Sequence, residues 1–125
     1  MVHGAGGLDE ASLAGPNALR LIESGGISSQ ELCPEDLGLT GAGLDLLRGG
    51  DCSVNQQILR DVLQGHGSLA QTEVVAFNTA LVLWASGLQT DLTAAAAQAM
   101  TVLREGKAWE KLVALRDALS DGDGE

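Results

Sequence analysis

Tyrosine is absent from this chain, phenylalanine occurs once and tryptophan twice. Basic residues are scarce as well: seven Lys and Arg face seventeen Asp and Glu, for a formal charge of −10. Such a surface repels phosphate backbones, so neither DNA nor RNA is an expected partner. A phosphorylated small molecule would need a metal ion or backbone N–H groups to hold it. Cysteine is limited to Cys33 and Cys52, far apart in sequence and without a CxxC pair. The only histidines, His3 and His66, lack zinc-site spacing. The two cysteines read as reduced thiols in a cytoplasmic protein. No long apolar run exists. The longest, Val74 to Ala85, is interrupted by Asn78 and Thr79 and falls short of the roughly 20 residues that cross a bilayer. No membrane association is expected, and the opening residues lack the basic-then-apolar pattern of a signal peptide. Internal repeats and linkers are also missing. The length suits one domain or a piece of a larger one.

What is abundant is glycine, at seventeen residues, within a chain that is 45% hydrophobic. So much glycine outside a repeat means many turns or close backbone approaches. Residues 1–17 lack periodicity and read as a loop running into a short turn. Residues 18–33 read as a hairpin: Leu19, Leu21 and Ile22 precede Ser24-Gly25-Gly26, and Ile27 and Leu32 follow it. Pro34 suits the first position of a short helical turn through Leu37. Residues 38–50 read as a loop with one helical turn at 43–48.

Four helices are expected after that. The first begins at Ser53, with Ser53 and Gln56 as a capping box, and stops at Gly65. The second runs from Leu69 to Ser86 behind a Ser68–Gln71 box. Its apolar residues cover most of the circumference, as in a helix buried inside something larger. The third runs from Leu92 to Glu105, capped at Thr90 or Asp91, and its Ala94–Ala97 run suits close helix packing. The fourth runs from Ala108 to Leu119 with Trp109, Leu112, Val113 and Leu115 pointing inward. Residues 120–125 read as a disordered acidic tail. Asp121-Gly-Asp-Gly-Glu is too short to supply the later ligands of a calcium loop.

Chemistry concentrates at the start, in His3-Gly4-Ala5-Gly6-Gly7-Leu8-Asp9-Glu10. Glycines let a backbone approach a ligand, and exposed N–H groups cradle anions. Adjacent carboxylates suit Mg²⁺, a hard cation that often bridges protein carboxylate and substrate phosphate. The competing reading is a flexible segment that leads into a helix with an acidic first turn. Asn55, Asn78, Trp84 and Trp109 read as core residues, the two amides hydrogen-bonded, and His66 as a solvated loop residue.

The same octapeptide resembles a signature of the anthranilate phosphoribosyltransferases, and the resemblance continues over residues 3–119. Pro34-Glu35-Asp36-Leu37-Gly38-Leu39 is similar to a family segment, as are Leu47-Arg48-Gly49-Gly50-Asp51 and the helix carrying Asn55, Ile58, Leu59, Val62, Leu63 and Gly65. Asn78, Ala80 and Leu81 fit the next helix, with Thr79 in place of the usual alanine. Gly106-Lys107-Ala108 and Leu112 fit the last. Many matches in the right order are more specific than any one motif.

The resemblance implies transfer of phosphoribose from phosphoribosyl pyrophosphate to anthranilate in tryptophan biosynthesis, with Mg²⁺ as cofactor. Carried over, Asp9 and Glu10 are the metal ligands, and His3, Gly4 and Gly7 line the substrate loop. No residue is assigned a proton-transfer role. The implied fold is α/β. Residues 1–119 would form its C-terminal part: a Gly-rich loop, one β-hairpin and about four helices, mostly helical.

The family's Gly-Thr-Gly-Gly-Asp loop and Lys-His-Gly-Asn segment do not occur here. The expectation is therefore a truncated, split or partial product, inactive alone. Its partner would be a missing N-terminal portion or a homologous subunit, in a family that forms dimers. The alternative is an acidic helical docking module without catalysis.

Overall fold

The computed structural model describes residues 1–120. The expected hairpin forms from β2 (Asn17–Glu23) and β3 (Gly26–Leu32), in antiparallel register from Asn17 opposite Leu32 to Glu23 opposite Gly26. Gly25, at φ +122°, takes a backbone conformation that a side chain would resist. Along β2, Asn17 and Leu19 are buried while Arg20 faces out, the period of two of a strand with one covered face. Residues 1–17 are not all loop. Val2–His3 form β1, a third antiparallel strand that pairs Val2 with Leu19 and His3 with Ala18. Two residues are too few to show a strand period, so sequence pattern could not reveal β1.

Short 3₁₀ turns at Pro34–Leu37 and Leu44–Leu47 link the sheet to four helices. These are α1 (Cys52–Leu63), α2 (Leu69–Ala85), α3 (Leu92–Arg104) and α4 (Lys107–Ser120). The Ser53–Gln56 box does not form. Asp51 is the N-cap of α1 instead, its carboxylate accepting from the Val54 N–H at 2.9 Å. A carboxylate also complements the positive end of the helix dipole. The Ser68–Gln71 box on α2 forms as expected, with bonds of 3.2 and 3.1 Å.

Helix α2 buries Ala70, Glu73, Ala76, Phe77 and Ala80, positions three and four apart that make one face. That face packs on α3, where Ala95 and Ala96 are fully buried, as the alanine run predicted. Two clusters result. One joins Phe77, Ala80, Ala95 and Ala96 to Ala11, Leu13, Leu37 and Leu39. The other joins Val62, Ala76, Ala99, Met100 and Leu103.

Several inward assignments are corrected. Helix α4 has no buried residue, and Leu112 and Leu115 are exposed. The fourth helix packs chiefly on α1 and α3, so among the described residues most of its circumference has nothing opposite it. Neither tryptophan is core. Trp84 borders a cavity beside Arg20 and Ile22, and the Trp109 ring lies under the Arg60 guanidinium at 5.6 Å, a cation–π pair. Asn55 is exposed rather than core. It serves the turn before α1, accepting from the Gly50 N–H and donating to the Gly50 carbonyl. Of the tail expected from 120, Ser120 is the last residue of α4, and 121–125 lie outside the described residues. Among the described residues no helix is long and apolar enough to cross a membrane.

Candidate functional site

The glycine loop leaves β1 and doubles back on itself. The Gly4 N–H donates to the Leu8 carbonyl at 2.8 Å, and the Gly7 N–H donates to the Gly4 carbonyl at 3.0 Å. Gly6 and Gly7 both sit at φ +84°, where side chains are strained. Gly4 is needed for a different reason. A Cβ there would overlap the Glu10 carbonyl oxygen and press on Asn17 Oδ1 at 3.3 Å. The backbone before Asp9-Glu10 thus lies directly against the backbone that follows.

Beyond the pair the chain dives into the core. Ala11 and Ser12 are fully buried and Leu13 nearly so. Asn17, also fully buried, accepts from the Ser12 N–H at 2.7 Å and donates to the carbonyls of Ser12, Gly15 and Leu32. On α2, Asn78 Oδ1 accepts from the Ala11 N–H at 2.9 Å, and its Nδ2 donates to the Ala11 carbonyl at 2.9 Å. The Ala42 N–H donates to the Leu13 carbonyl, tying a second loop to the first. That second loop is held by Glu73, whose buried carboxylate accepts from the Thr40 N–H and hydroxyl at 3.0 and 3.2 Å.

The loop therefore brings Asp9 and Glu10 to the surface between two fixed ends, both side chains exposed. No helix follows them, so the reading as an acidic first turn fails. Gly4 is buried beneath the pair, Gly7 is exposed on the turn before it, and His3 is exposed in β1, paired with Ala18. His66 lies exposed beyond α1 and joins no site. Beside Glu10 runs an apolar groove of about 580 Å³, lined by Leu8, Leu44, Ile58, Val74 and Val75.

Among the described residues no three His, Cys, Asp or Glu side chains come together to hold a metal. The loop can offer at most two carboxylates, a hard-oxygen donor set. This suits Mg²⁺, which keeps several waters and takes remaining ligands from substrate phosphate, and does not suit a cation needing an all-protein cage. The residues fit the ion as part of a shared site.

Sequence reasoning identified the exposed pair and its glycines but not the anchors. Asn78 was legible as a hydrogen-bonded residue on an apolar helix, though not as the partner of Ala11, 67 positions away. Asn17 and Glu73 carried no local signal beyond being polar within apolar surroundings.

The family model for the a/b domain of the glycosyl transferase family matches residues 1–109. The chain belongs to that family. It is similar to the anthranilate phosphoribosyltransferase of Parasynechococcus marenigrum, with 59% identity over 120 residues that make up 96% of this chain and 34% of the relative. Among solved structures it resembles anthranilate phosphoribosyltransferase from Thermus thermophilus. The TM-score is 0.76 at 34% identity, over 86% of this chain and 31% of that one. It also resembles the Saccharomyces cerevisiae enzyme in complex with PRPP and Mg, with a TM-score of 0.83 at 25% identity over 96% of this chain and 34% of that one. The chain spans about a third of the length of these relatives. The matches bear out the family resemblance and the mostly helical portion of an α/β fold. They lend nothing to the docking-module alternative.

Proposed function

We propose that this chain is the metal-holding portion of an anthranilate phosphoribosyltransferase, competent only when the rest of the family fold accompanies it. The observation that carries this reading is the exposed Asp9-Glu10 pair on a loop fixed at both ends. Asp9 and Glu10 would hold Mg²⁺. The bound ion would neutralise charge on pyrophosphate as it leaves the ribose of phosphoribosyl pyrophosphate.

The chain's own part is preorganisation. The folded-back glycines and the buried Ala11–Leu13 strap limit how far the carboxylates can move, so little ordering remains for the moment of reaction. Gly7 and Gly6 leave the outer face of the turn free of side chains, which lets a phosphate approach the backbone. His3, at the start of the same loop, lines the approach without moving a proton. Anthranilate and the ribose 5-phosphate would be held by the remaining family portion, whose substrate-binding motifs are not among these 125 residues. The reaction would take place in the cytoplasm.

The test follows loss of anthranilate fluorescence in the presence of phosphoribosyl pyrophosphate and Mg²⁺. The chain is assayed alone and mixed with a separately expressed remaining portion of a relative. Turnover is expected only in the mixture and is expected to fall with Asp9→Ala. A mixture whose pieces bind one another yet gives no turnover would overturn the proposal.

A further inference from the structure

Asp9 and Glu10 receive no side-chain hydrogen bond from the described residues, and both are exposed. Their positions are therefore set by the backbone on either side. Upstream the constraint is steric, Gly4 against the Glu10 carbonyl. Downstream, Asn17 holds Ser12, and at Ala11, the residue next to the pair, the constraint is one side chain. Asn78 grips both polar groups of Ala11, the residue that follows Glu10, and directs its second N–H to the Val74 carbonyl one turn back at 3.0 Å. That third bond fixes the amide's orientation. Ala11 is fully buried, so in the folded chain the half-buried Asn78 amide, and not solvent, satisfies its two backbone groups. The helix carrying Asn78 is itself rigidly seated, since its neighbours Ala76, Phe77 and Ala80 are all fully buried. A group on a packed helix holds a loop more accurately than another loop can.

We propose that Asn78 is the positioning residue of the Asp9–Glu10 pair, setting its affinity for a divalent cation through Ala11 and without touching the ion. This rests on the metal reading given above. Groups that orient metal ligands from behind change affinity when removed although they contact no metal.

The probe is Mn²⁺ alone, titrated into the ¹⁵N-labelled full chain, with paramagnetic broadening of the Asp9 and Glu10 amides as the readout. Asn78→Ala is expected to raise the Mn²⁺ dissociation constant about 10-fold or more and to speed hydrogen exchange at the Ala11 amide. Phe77→Leu, one residue away, loses core packing but keeps the amide, and is expected to keep the wild-type Mn²⁺ constant. Should Asn78→Ala not fold, Asn78→Ser serves in its place. Its hydroxyl can bond the carbonyl four residues back within α2 but is too short to span Ala11, and the same weakening is expected. Asn78 variants that bind Mn²⁺ as the wild type does would overturn the inference and leave the metal reading standing. Equal weakening by Phe77→Leu would also overturn it, by showing that general loosening suffices. Absence of any wild-type broadening that Asp9→Asn removes would instead overturn the metal reading and this inference with it.

Discussion

Gly4→Ala isolates the steric half of the loop's preorganisation. Gly4 is buried, and its φ lies outside the left-handed range. The cost of a methyl group there is therefore contact and not backbone strain. The new Cβ would lie inside the 3.0 Å that real Cβ atoms keep from the Glu10 carbonyl oxygen, and 3.3 Å from Asn17 Oδ1. The first obstacle is backbone and the second is an amide held by four hydrogen bonds, so neither can turn aside as a flexible side chain would. Forcing extra volume into a packed site costs about 1–3 kcal/mol. Movement of Gly4 also weakens its bonds to Leu8 and Gly7, each worth about 0.5–1.5 kcal/mol. The sum is a destabilisation of about 2–6 kcal/mol. With an m-value of about 2 kcal/mol per molar, the urea midpoint should drop by roughly 1–3 M. Two sister variants calibrate the effect. Gly7→Ala meets no atom within 4 Å but sits at φ +84°, so it should cost only about 1–2 kcal/mol of left-handed strain. Gly26→Ala meets nothing within 4 Å at an unremarkable φ and should be neutral or slightly stabilising. Urea unfolding followed by circular dichroism ranks the three. A Gly4→Ala midpoint equal to that of Gly26→Ala would refute the claim that the loop's two ends are in backbone contact.

Three further outcomes are expected. Asn17→Ala removes a fully buried amide that serves four backbone groups. Leaving such groups unpaired costs about 1–3 kcal/mol each, so a loss of at least about 3 kcal/mol should appear in the same urea assay. Asp51→Ala removes the α1 cap and should cost about 1 kcal/mol, whereas Ser53→Ala, whose hydroxyl caps nothing, should change stability by less than about 0.5 kcal/mol. Partial burial, then the carboxylates of Asp36, Glu31 and Glu35, push the Cys33 thiol up from its ordinary value. A raised thiol holds less thiolate at a given pH. Iodoacetamide labelling of Cys33 should therefore set in at higher pH in the folded chain than in the urea-unfolded chain, as read by peptide mass spectrometry.

The sequence carried the features that depend on neighbours along the chain. The hairpin was legible because Gly25 and Gly26 separate two apolar runs, and α2 because Ser68 and Gln71 stand three apart ahead of a periodic segment. The capping of α1 shows where local reading fails. Both Asp51 and Ser53 are sound caps, and the choice is made by which one's backbone is extended. Asp51 is (φ −69°, ψ 179°), since the preceding Gly49-Gly50 turn is pinned by Asn55. Periodicity likewise says which residues of a helix are apolar, but not whether anything lies opposite them. Leu112 and Leu115 on α4 have the pattern of a buried face and, among the described residues, lack the partner.

The same distinction explains how the candidate site was half visible. Asp9, Glu10 and their glycines are contiguous, so their chemistry could be read directly. What holds them is not contiguous. Asn78 reaches Ala11 across 67 positions, Glu73 reaches Thr40 across 33, and both reach from one helix. From sequence, two polar residues on an otherwise apolar helix look like interruptions of a buried face. In the fold they are the points at which that face grips the backbone of distant loops. An apolar helix can pack against a loop but cannot fix its register, because apolar contacts are not directional. Hydrogen bonds to both backbone groups of a single buried residue can. Asn78 and Glu73 thus convert a packing surface into a template for two loops. The exposed pair is the visible consequence of a constraint that is itself buried.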